Sequence, residues 1–503
     1  MCNEEGNIWI VYNGEIYNFK KIRADLEKKG HIFKSNTDTE VIIHAYEEYD
    51  INCVNLFNGM FAFAIWDSKN KKIILARDRL GIKPLYYYYD KTDSKFIFAS
   101  EIKSIISNPL VKKEFNFSAL NQLIYYAYPI NEETLIKNIN ELPPGHLIIY
   151  DLNNLNNNLK IEKYWDIKNN IKYNDENFFI KKLRLLLKES VRKRLVADVP
   201  LGVSLSGGID SGSIVLLMSQ LVDNPVKTFT VGFKDDSDEL KEAREIADFC
   251  STDHHEIIVD FKDITKNLAK ILWHAETPFA KPAMYATYFL SKGINNNKVI
   301  IDLSGEGSDE IFAGYNRYDI YLEKSNLSNQ EKAKKIVSSY YMSDEEKNNF
   351  FNKNILSDMK ESLKPENIFL PNLEKTDNKE HLNAALNFEI KKQLPGVHLL
   401  RVDKMSMANS LEARVPFLDM RIVKFSEKLS ENEKLRNKVG KYFLRQSIKD
   451  IIPKEIIEGN KRTFFTPQKE WFNNGLREIA VNDLEKSELF NWQFVKKLFE
   501  KEI

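Results

Sequence analysis

The chain has 503 residues, of which 43% are hydrophobic and 29% charged, with 73 basic side chains against 73 acidic ones. Such a length exceeds one ordinary core and implies two or three domains, and the zero formal balance argues against nucleic acid or an anionic membrane as partner. Cys2, Cys53 and Cys250 form no CxxC pair or disulfide ladder, the start lacks a secretory leader, and no apolar run nears the roughly 18–20 residues of a membrane span, so a cytoplasmic protein is expected.

Taken in order, Ile8–Val11 reads as a short strand. Phe19, Ile22 and Leu26 form one stripe of a helix that stops at Gly30. Thr37-Asp-Thr-Glu40 has the form of a capping box opening a helix over Val41–Tyr49. Apolar, aromatic runs at Met60–Trp66, Lys72–Ala76, Pro84–Tyr89 and Lys95–Ala99 then suggest an antiparallel sheet or sandwich with helices on it. The Asn-rich stretch Asp151–Lys160 reads as a long turn or linker, which divides the chain into 1–150, a linker over 151–175, and 176–503.

From Glu176 the pattern changes. Phe179, Leu183, Leu187 and Val191 share a helical face. Strands Gly202–Leu205, Thr228–Phe233, Glu256–Val259 and Val299–Leu303 alternate with helices Ser213–Leu221 and Glu239–Phe249 and a helix ending at Trp273. That order predicts parallel strands with crossover helices, and beyond Asn316 the chain reads as mostly helical.

Three segments carry chemistry. Ser204-Leu-Ser-Gly-Gly-Ile-Asp-Ser211 lies between an apolar strand and an apolar helix. Gly207 and Gly208 permit positive φ and close backbone approach, and the loop amides with the helix N-terminus can cradle phosphates. Ser206 and Ser211 add hydroxyls, while Asp210 would repel phosphate directly and makes sense through Mg²⁺. A plain glycine turn is the alternative. Leu303-Ser-Gly-Glu-Gly-Ser-Asp-Glu-Ile-Phe-Ala-Gly-Tyr315 follows another strand and contains three acids in five residues. They call for a shared cation or a proton to accept, or else form an acidic helix start favoured by the helix dipole. The third segment runs from Leu400-Arg-Val-Asp-Lys to Val-Pro-Phe-Leu-Asp419 and is followed by Gly440-Lys-Tyr-Phe-Leu-Arg445. Lys441 taken alone would be a solvated surface lysine.

SGGIDS resembles the pyrophosphate loop of ATP pyrophosphatases. The three segments together resemble the synthetase domain of glutamine-dependent asparagine synthetases over about Glu176 to Pro467. Near the start, Asn13-Gly-Glu-Ile-Tyr-Asn18 and Thr37-Asp-Thr-Glu40 resemble the glutamine-holding segments of class II glutaminases, although Asn-Gly is also a common hairpin turn and Thr-x-x-Glu a common cap. The resemblance implies an α+β glutaminase-like sandwich, incomplete at its beginning, followed by an α/β parallel-sheet domain of the ATP pyrophosphatase type with a helical C-terminal part. It implies ATP and Mg²⁺ as cofactors, aspartate with glutamine or ammonia as small-molecule partners, and a homodimer as one possible assembly.

Carried onto matching positions, the resemblance puts Leu205, Val231, Ser304 and Gly305 around ATP with the loop residues Ser206, Gly207, Gly208, Asp210 and Ser211. Asp210 and Asp309 would hold Mg²⁺. Glu306 would support formation and amination of a β-aspartyl adenylate, and Lys441 would stabilise the departing pyrophosphate. Asn13 and Gly14 would form an oxyanion hole, and Asp38 with Glu15 would bind the glutamine α-amino group. Two departures stand out. Gly212 replaces a second serine after SGGxDS. Only twelve residues precede Asn13, where the family has a nucleophilic cysteine at the head of about 70. Cys2, followed by Asn-Glu-Glu-Gly in a turn-like context, reads as a coincidental cysteine rather than a relocated nucleophile. Ammonia is therefore the expected donor for this chain. The rivals are a related amidotransferase acting on another carboxylate, such as a β-lactam or exopolysaccharide-linked enzyme, and a non-catalytic binding protein of the same fold.

Overall fold

The computed structural model describes residues 1–501 except 93–94, 155–157, 169, 173–174, 234–236, 279–282, 323–325, 339–341, 360–364, 377–379 and 454–466. The first part is built from β1 (Ile8–Ile16), α1 (Phe19–Glu27), α2 (Asp38–Tyr49), β2 (Gly59–Asp67), β3 (Lys72–Arg77), β4 (Tyr86–Asp90), β5 (Lys95–Ala99), α3 (Ile102–Ile106), α4 (Phe117–Tyr126), β6 (Ile139–Glu141), β7 (His146–Asp151) and β8 (Leu159–Lys163). Two antiparallel sheets result, in the orders β1-β2-β3-β7-β8 and β5-β4-β6.

Side-chain alternation decides what each face meets. Ala62, Ala64, Leu75 and Ile148 of the larger sheet pack on Leu85, Tyr87, Phe96 and Phe98 of the smaller. The opposite face of the larger sheet, with Ile10, Phe61, Phe63 and Ile65, is covered by Ile22 and Leu26 of α1 and Val41, Ile42 and Ala45 of α2. Tyr86 and Tyr88, alternating with Tyr87, turn outward onto Ile102 and Ile105 of α3. The layers thus run helix, sheet, sheet, helix.

Three details depart from the sequence reading. β1 continues through Ile16, so Asn13-Gly14 lies within a strand opposite Ala62 and Phe61 rather than in a hairpin turn. Thr37 accepts from the Glu40 amide at 3.3 Å, but the Glu40 carboxylate turns back to the Lys34 and Ser35 amides at 2.7 Å, so the cap is not reciprocal. Within the stretch expected as linker, Leu159–Lys163 pairs with the open edge of β7 as the last strand of the larger sheet.

The second part contains α5 (Glu176–Arg194), β9 (Leu201–Ser204), α6 (Ile209–Ser219), β10 (Lys227–Phe233), α7 (Ser237–Phe249), β11 (Asp253–Val259), α8 (Phe261–Ala275), α9 (Ala283–Asn296), β12 (Ile301–Leu303) and α10 (Ser308–Phe312). A mostly helical stretch follows and returns as β13 (Glu412–Arg414). All pairings are parallel, in the order β11-β10-β9-β12-β13. On α5 the stripe Phe179, Leu183, Leu187 and Val191 is buried against this sheet's core, as the spacing predicts. Met60, Leu80 and Ile82 of the first part belong to that same apolar cluster, so the two parts share a dry seam. No described helix is long and apolar enough to cross a membrane.

Candidate active site

In an open parallel sheet, ligands bind beyond the strand ends where the strand order reverses. Here the reversal falls between β9 and β12, which are neighbours although six elements of chain separate them. The SGGIDS loop leaves β9, and Ser304-Gly-Glu-Gly-Ser308 leaves β12, so the two sequence segments meet side by side. Ser308 Oγ donates to Asp210 Oδ1 at 2.8 Å. A Cβ on Gly305 would stand 3.0 Å from Asp210 Cβ and 3.1 Å from the Ser211 amide, tighter than nearly all real contacts.

The glycines of the loop serve proximity rather than dihedral freedom. Gly208 has φ −87°, and neither it nor Gly207 adopts positive φ, contrary to the sequence expectation. A Cβ on Gly207 would fall 2.3 Å from Glu242 Cβ of α7, so that helix closes directly on the loop. The Ser211 hydroxyl accepts the Ser206 amide and reaches the Ser206 carbonyl, each at 3.0 Å, and braces the loop from inside. Gly307 does need left-handed backbone, at φ +87°, where Leu418 leaves no room for a side chain. Leu205 and Val231 are buried beside this loop, tied by the Leu205 amide to the Phe229 carbonyl at 2.8 Å. The Ser304 amide donates to the Arg414 carbonyl at 2.8 Å.

Lys441 is not a surface lysine. Its Nζ lies 2.5 Å from Asp210 Oδ2 and 2.7 Å from Asp309 Oδ1, and its side chain is 4% exposed. Burial disfavours its charge, but the two carboxylates outweigh that and hold its pKa above the ordinary lysine value. The approach needs Gly314, where a Cβ would stand 1.8 Å from Asp309 Oδ1 and 2.1 Å from Lys441 Cε. Two carboxylates converging on one buried cation form a hard-oxygen donor set of the kind Mg²⁺ prefers.

Glu306, from the same β12 loop, takes different partners: one carboxylate oxygen is ion-paired with Arg401 and the other lies 3.9 Å from His398 Nδ1. Glu310 is buried and accepts from Tyr315 at 2.6 Å; burial, then Asp309, pushes its pKa up to about 7. Ser308, Arg401, His398 and Gly314 were given no role by the sequence reading. For Ser308, Gly314 and Arg401 the signal was membership of the same long segments, and His398 stands just ahead of one, but only the fold says which neighbours they take.

The N-terminal candidates cluster separately at the far end of β1. A Cβ on Gly14 would lie 2.0 Å from the Met60 carbonyl, so only glycine fits. The Asn13 side-chain amide reaches Ser100 Oγ at 3.4 Å. Asp38, the first residue of α2, accepts from Tyr12 Oη at 2.8 Å and the Ile16 amide at 2.9 Å. Glu15 faces Arg414 at 3.4 Å, and burial pushes its pKa up to about 7 despite that guanidinium. Arg414 therefore touches the N-terminal cluster with its side chain and Ser304 with its backbone.

Comparison with known proteins agrees with this layout. The model of the family described as asparagine synthase matches residues 182–503, and that of the glutamine amidotransferase domain matches residues 1–165. Asparagine synthetase (glutamine-hydrolyzing) 1 of Bacillus subtilis (strain 168) is 31% identical over 519 residues, covering 96% of this chain and 80% of that protein. Asparagine synthetase (glutamine-hydrolyzing) 3 of the same organism is 28% identical over 506 residues, covering 95% of this chain and 78% of that protein. Amidase chry2 of Gibberella zeae is 27% identical over 559 residues, covering 98% of this chain and 82% of that protein. An antiparallel sandwich followed by a doubly wound sheet with its loops poised at the strand reversal, matched by both models along nearly the whole chain, places the protein in the asparagine synthase family, with a glutamine amidotransferase domain at its N-terminal end.

Proposed function

We propose that the protein is an ATP-dependent asparagine synthetase, converting L-aspartate, ATP and a nitrogen donor into L-asparagine, AMP and pyrophosphate, with glutamine or ammonia as donor. The observation that most supports this reading is the convergence of Lys441 with Asp210 and Asp309 beside the SGGIDS loop. A carboxylate is a poor acyl donor until adenylation makes AMP its leaving group, and the charge that develops on the departing phosphates needs fixed cations. Leu205, Val231, Ser304 and Gly305 would line the nucleotide, with Ser206, Gly207, Gly208 and Ser211 shaping the phosphate loop. Asp210 and Asp309 would hold Mg²⁺, which neutralises phosphate charge when bound. Lys441 supplies a second, covalently fixed positive charge. Glu306, ion-paired with Arg401, would accept a proton as ammonia becomes an amide. Asn13 and Gly14 would form the oxyanion hole of the glutamine site, and Asp38 with Glu15 would hold the α-amino group.

A second reading is amidotransfer to another carboxylate; the similarity along nearly the whole chain to a protein named an amidase rather than an asparagine synthetase supports a substrate other than aspartate. Aspartate-dependent release of pyrophosphate, with asparagine identified by mass, tests the first reading. Release that depends on a different carboxylate would establish the second. Within the first, Glu306→Gln keeps an acceptor for Arg401 but removes the proton acceptor. It should retain ATP binding and lose asparagine formation with saturating ammonia, and asparagine made at near the parent rate would remove Glu306 from this role.

A further inference from the structure

A cluster remote from the nucleotide loops is unused by any of this chemistry. His31, in the turn after α1, and His44 and Glu47, one turn apart on α2, converge on one point. His31 Nδ1 and His44 Nδ1 are 3.2 Å apart, His44 Nδ1 and Glu47 Oε2 are 2.8 Å apart, and His31 Nδ1 and Glu47 Oε2 are 3.7 Å apart. Around a tetrahedral zinc ion with bonds of about 2.0–2.2 Å, ligand atoms stand roughly 3.4 Å from one another. The three observed edges bracket that value.

The groups behind the cluster are arranged as an outer shell. His31 Nε2 faces Glu48 Oε2 at 3.3 Å, and His44 Nε2 faces Glu40 Oε1 at 3.8 Å. Carboxylates there favour the tautomers in which both Nε2 atoms carry the proton, leaving both Nδ1 lone pairs pointing inward. Glu47 Oε1 in turn accepts from Asn3 Nδ2 at 2.8 Å, which orients Oε2 toward the imidazoles. Three acceptors thus meet at one point, and a cation is what such a point lacks. A single proton on His44 would satisfy only one of the two close contacts.

We propose that His31, His44 and Glu47 form a site for a zinc-class divalent metal ion, with a water as fourth ligand. Two imidazoles and one carboxylate suit Zn²⁺, Co²⁺ or Ni²⁺ better than Mg²⁺ or Ca²⁺. His31 and Glu47 are partly exposed, so an ion can enter from solvent, while His44 is buried against Phe33. The ion would pin the turn after α1 onto α2. That helix begins with Asp38, roughly 9 Å away along the axis, so the site would also steady the position of a glutamine-holding candidate.

The test is Zn²⁺ titration of metal-stripped full-length protein in excess Mg²⁺, with Co²⁺ as a spectroscopic substitute. One equivalent should bind, Co²⁺ should give the visible absorption of a tetrahedral site, and His31→Ala and Glu47→Gln should each weaken binding by at least about tenfold. Both variants avoid the buried His44, and unchanged circular dichroism of their metal-free forms shows that they fold. Cys2→Ala should bind Zn²⁺ like the parent. Failure to bind Zn²⁺, or binding that His31→Ala and Glu47→Gln leave intact, overturns the assignment and leaves a hydrogen-bonded histidine–carboxylate cluster in its place.

Discussion

Lys83 Nζ lies 2.9 Å from Asp403 Oδ1, an ion pair closed off from solvent in the seam between the two parts of the chain. Burial disfavours the charge of Lys83, but Asp403 and Glu412 outweigh that and hold its pKa above the ordinary value. Asp403 belongs to the short helix Leu400–Met407, which also carries Arg401, paired with Glu306, and Lys404, paired with Glu276. Glu276 accepts from the Ile102 and Lys103 amides of the first part at 3.0 and 2.7 Å. One helix therefore holds the candidate proton acceptor on one side and the amidotransferase domain on the other.

Lys83→Met should lower stability by about 3–5 kcal/mol, because it strands the Asp403 carboxylate in the seam. Adding Asp403→Leu should restore most of that loss, since an apolar pair avoids the desolvation cost. Thermal midpoints of the two single variants and the double variant measure this. Strictly additive losses would mean that the pair does not act as a unit.

Lys441→Ala should slow aspartate-dependent pyrophosphate release by more than about tenfold, or about 1.4 kcal/mol of transition-state stabilisation. It should also lower the thermal midpoint, because Asp210 and Asp309 then lose the buried ammonium on which both converge. Lys441→Arg should not rescue activity, because even a methyl group at Gly314 would come within 2.1 Å of Lys441 Cε. An unchanged rate in Lys441→Ala would sever Lys441 from the chemistry.

Asp419 is fully buried, caps the helix Met420–Ser426 and accepts from Arg421 Nε and Nη2 at 2.9 Å each, with Arg194 at 3.3 Å. Burial alone would raise its pKa, but the hydrogen bonds of Arg421 and the charges of Arg194 and Arg421 hold it well below the ordinary carboxylate range. As pH falls below about 4, the unfolded chain takes up this proton before the folded one does. The stabilisation is therefore complete above that pH and is lost progressively toward the lower folded value. Asp419→Asn should cost about 3–5 kcal/mol at neutral pH and flatten the acid side of the stability profile. A parallel profile displaced by a constant amount would count against the ion-pair explanation.

Cys2 pairs with Trp9 in an antiparallel bridge, while the turn Asn3–Gly6 reverses the chain just ahead of β1, as its sequence suggests. Asn13 lies four residues farther along that strand, roughly 14 Å at strand rise. The Cys2 thiol is therefore out of reach of the proposed oxyanion hole, and Cys2→Ala should leave glutamate release from glutamine unchanged. Activity abolished by that substitution would require the first strand to rearrange and would make Cys2 a nucleophile.

By itself the sequence determined most of the elements and the family resemblance. Period-two and period-3.6 patterns place strands and α5, and SGGIDS after an apolar run marks the loop proposed to hold phosphates, because these signals depend on residues close together in the chain. Local pattern failed where a remote partner decides. Leu159–Lys163 becomes a strand because β7 has an unpaired edge to offer, and Asn13-Gly14 stays extended because β2 lies alongside. Lys441 is 231 residues from Asp210, and nothing local distinguishes it from a solvated lysine; parallel strand order and the absence of a side chain at Gly314 bring them together. The pairing of His31 with His44 was equally silent, since ligand geometry depends on how a turn settles against a helix. Tertiary packing alone decided which charges meet, because charge pairing acts through space and leaves no periodic mark on the chain.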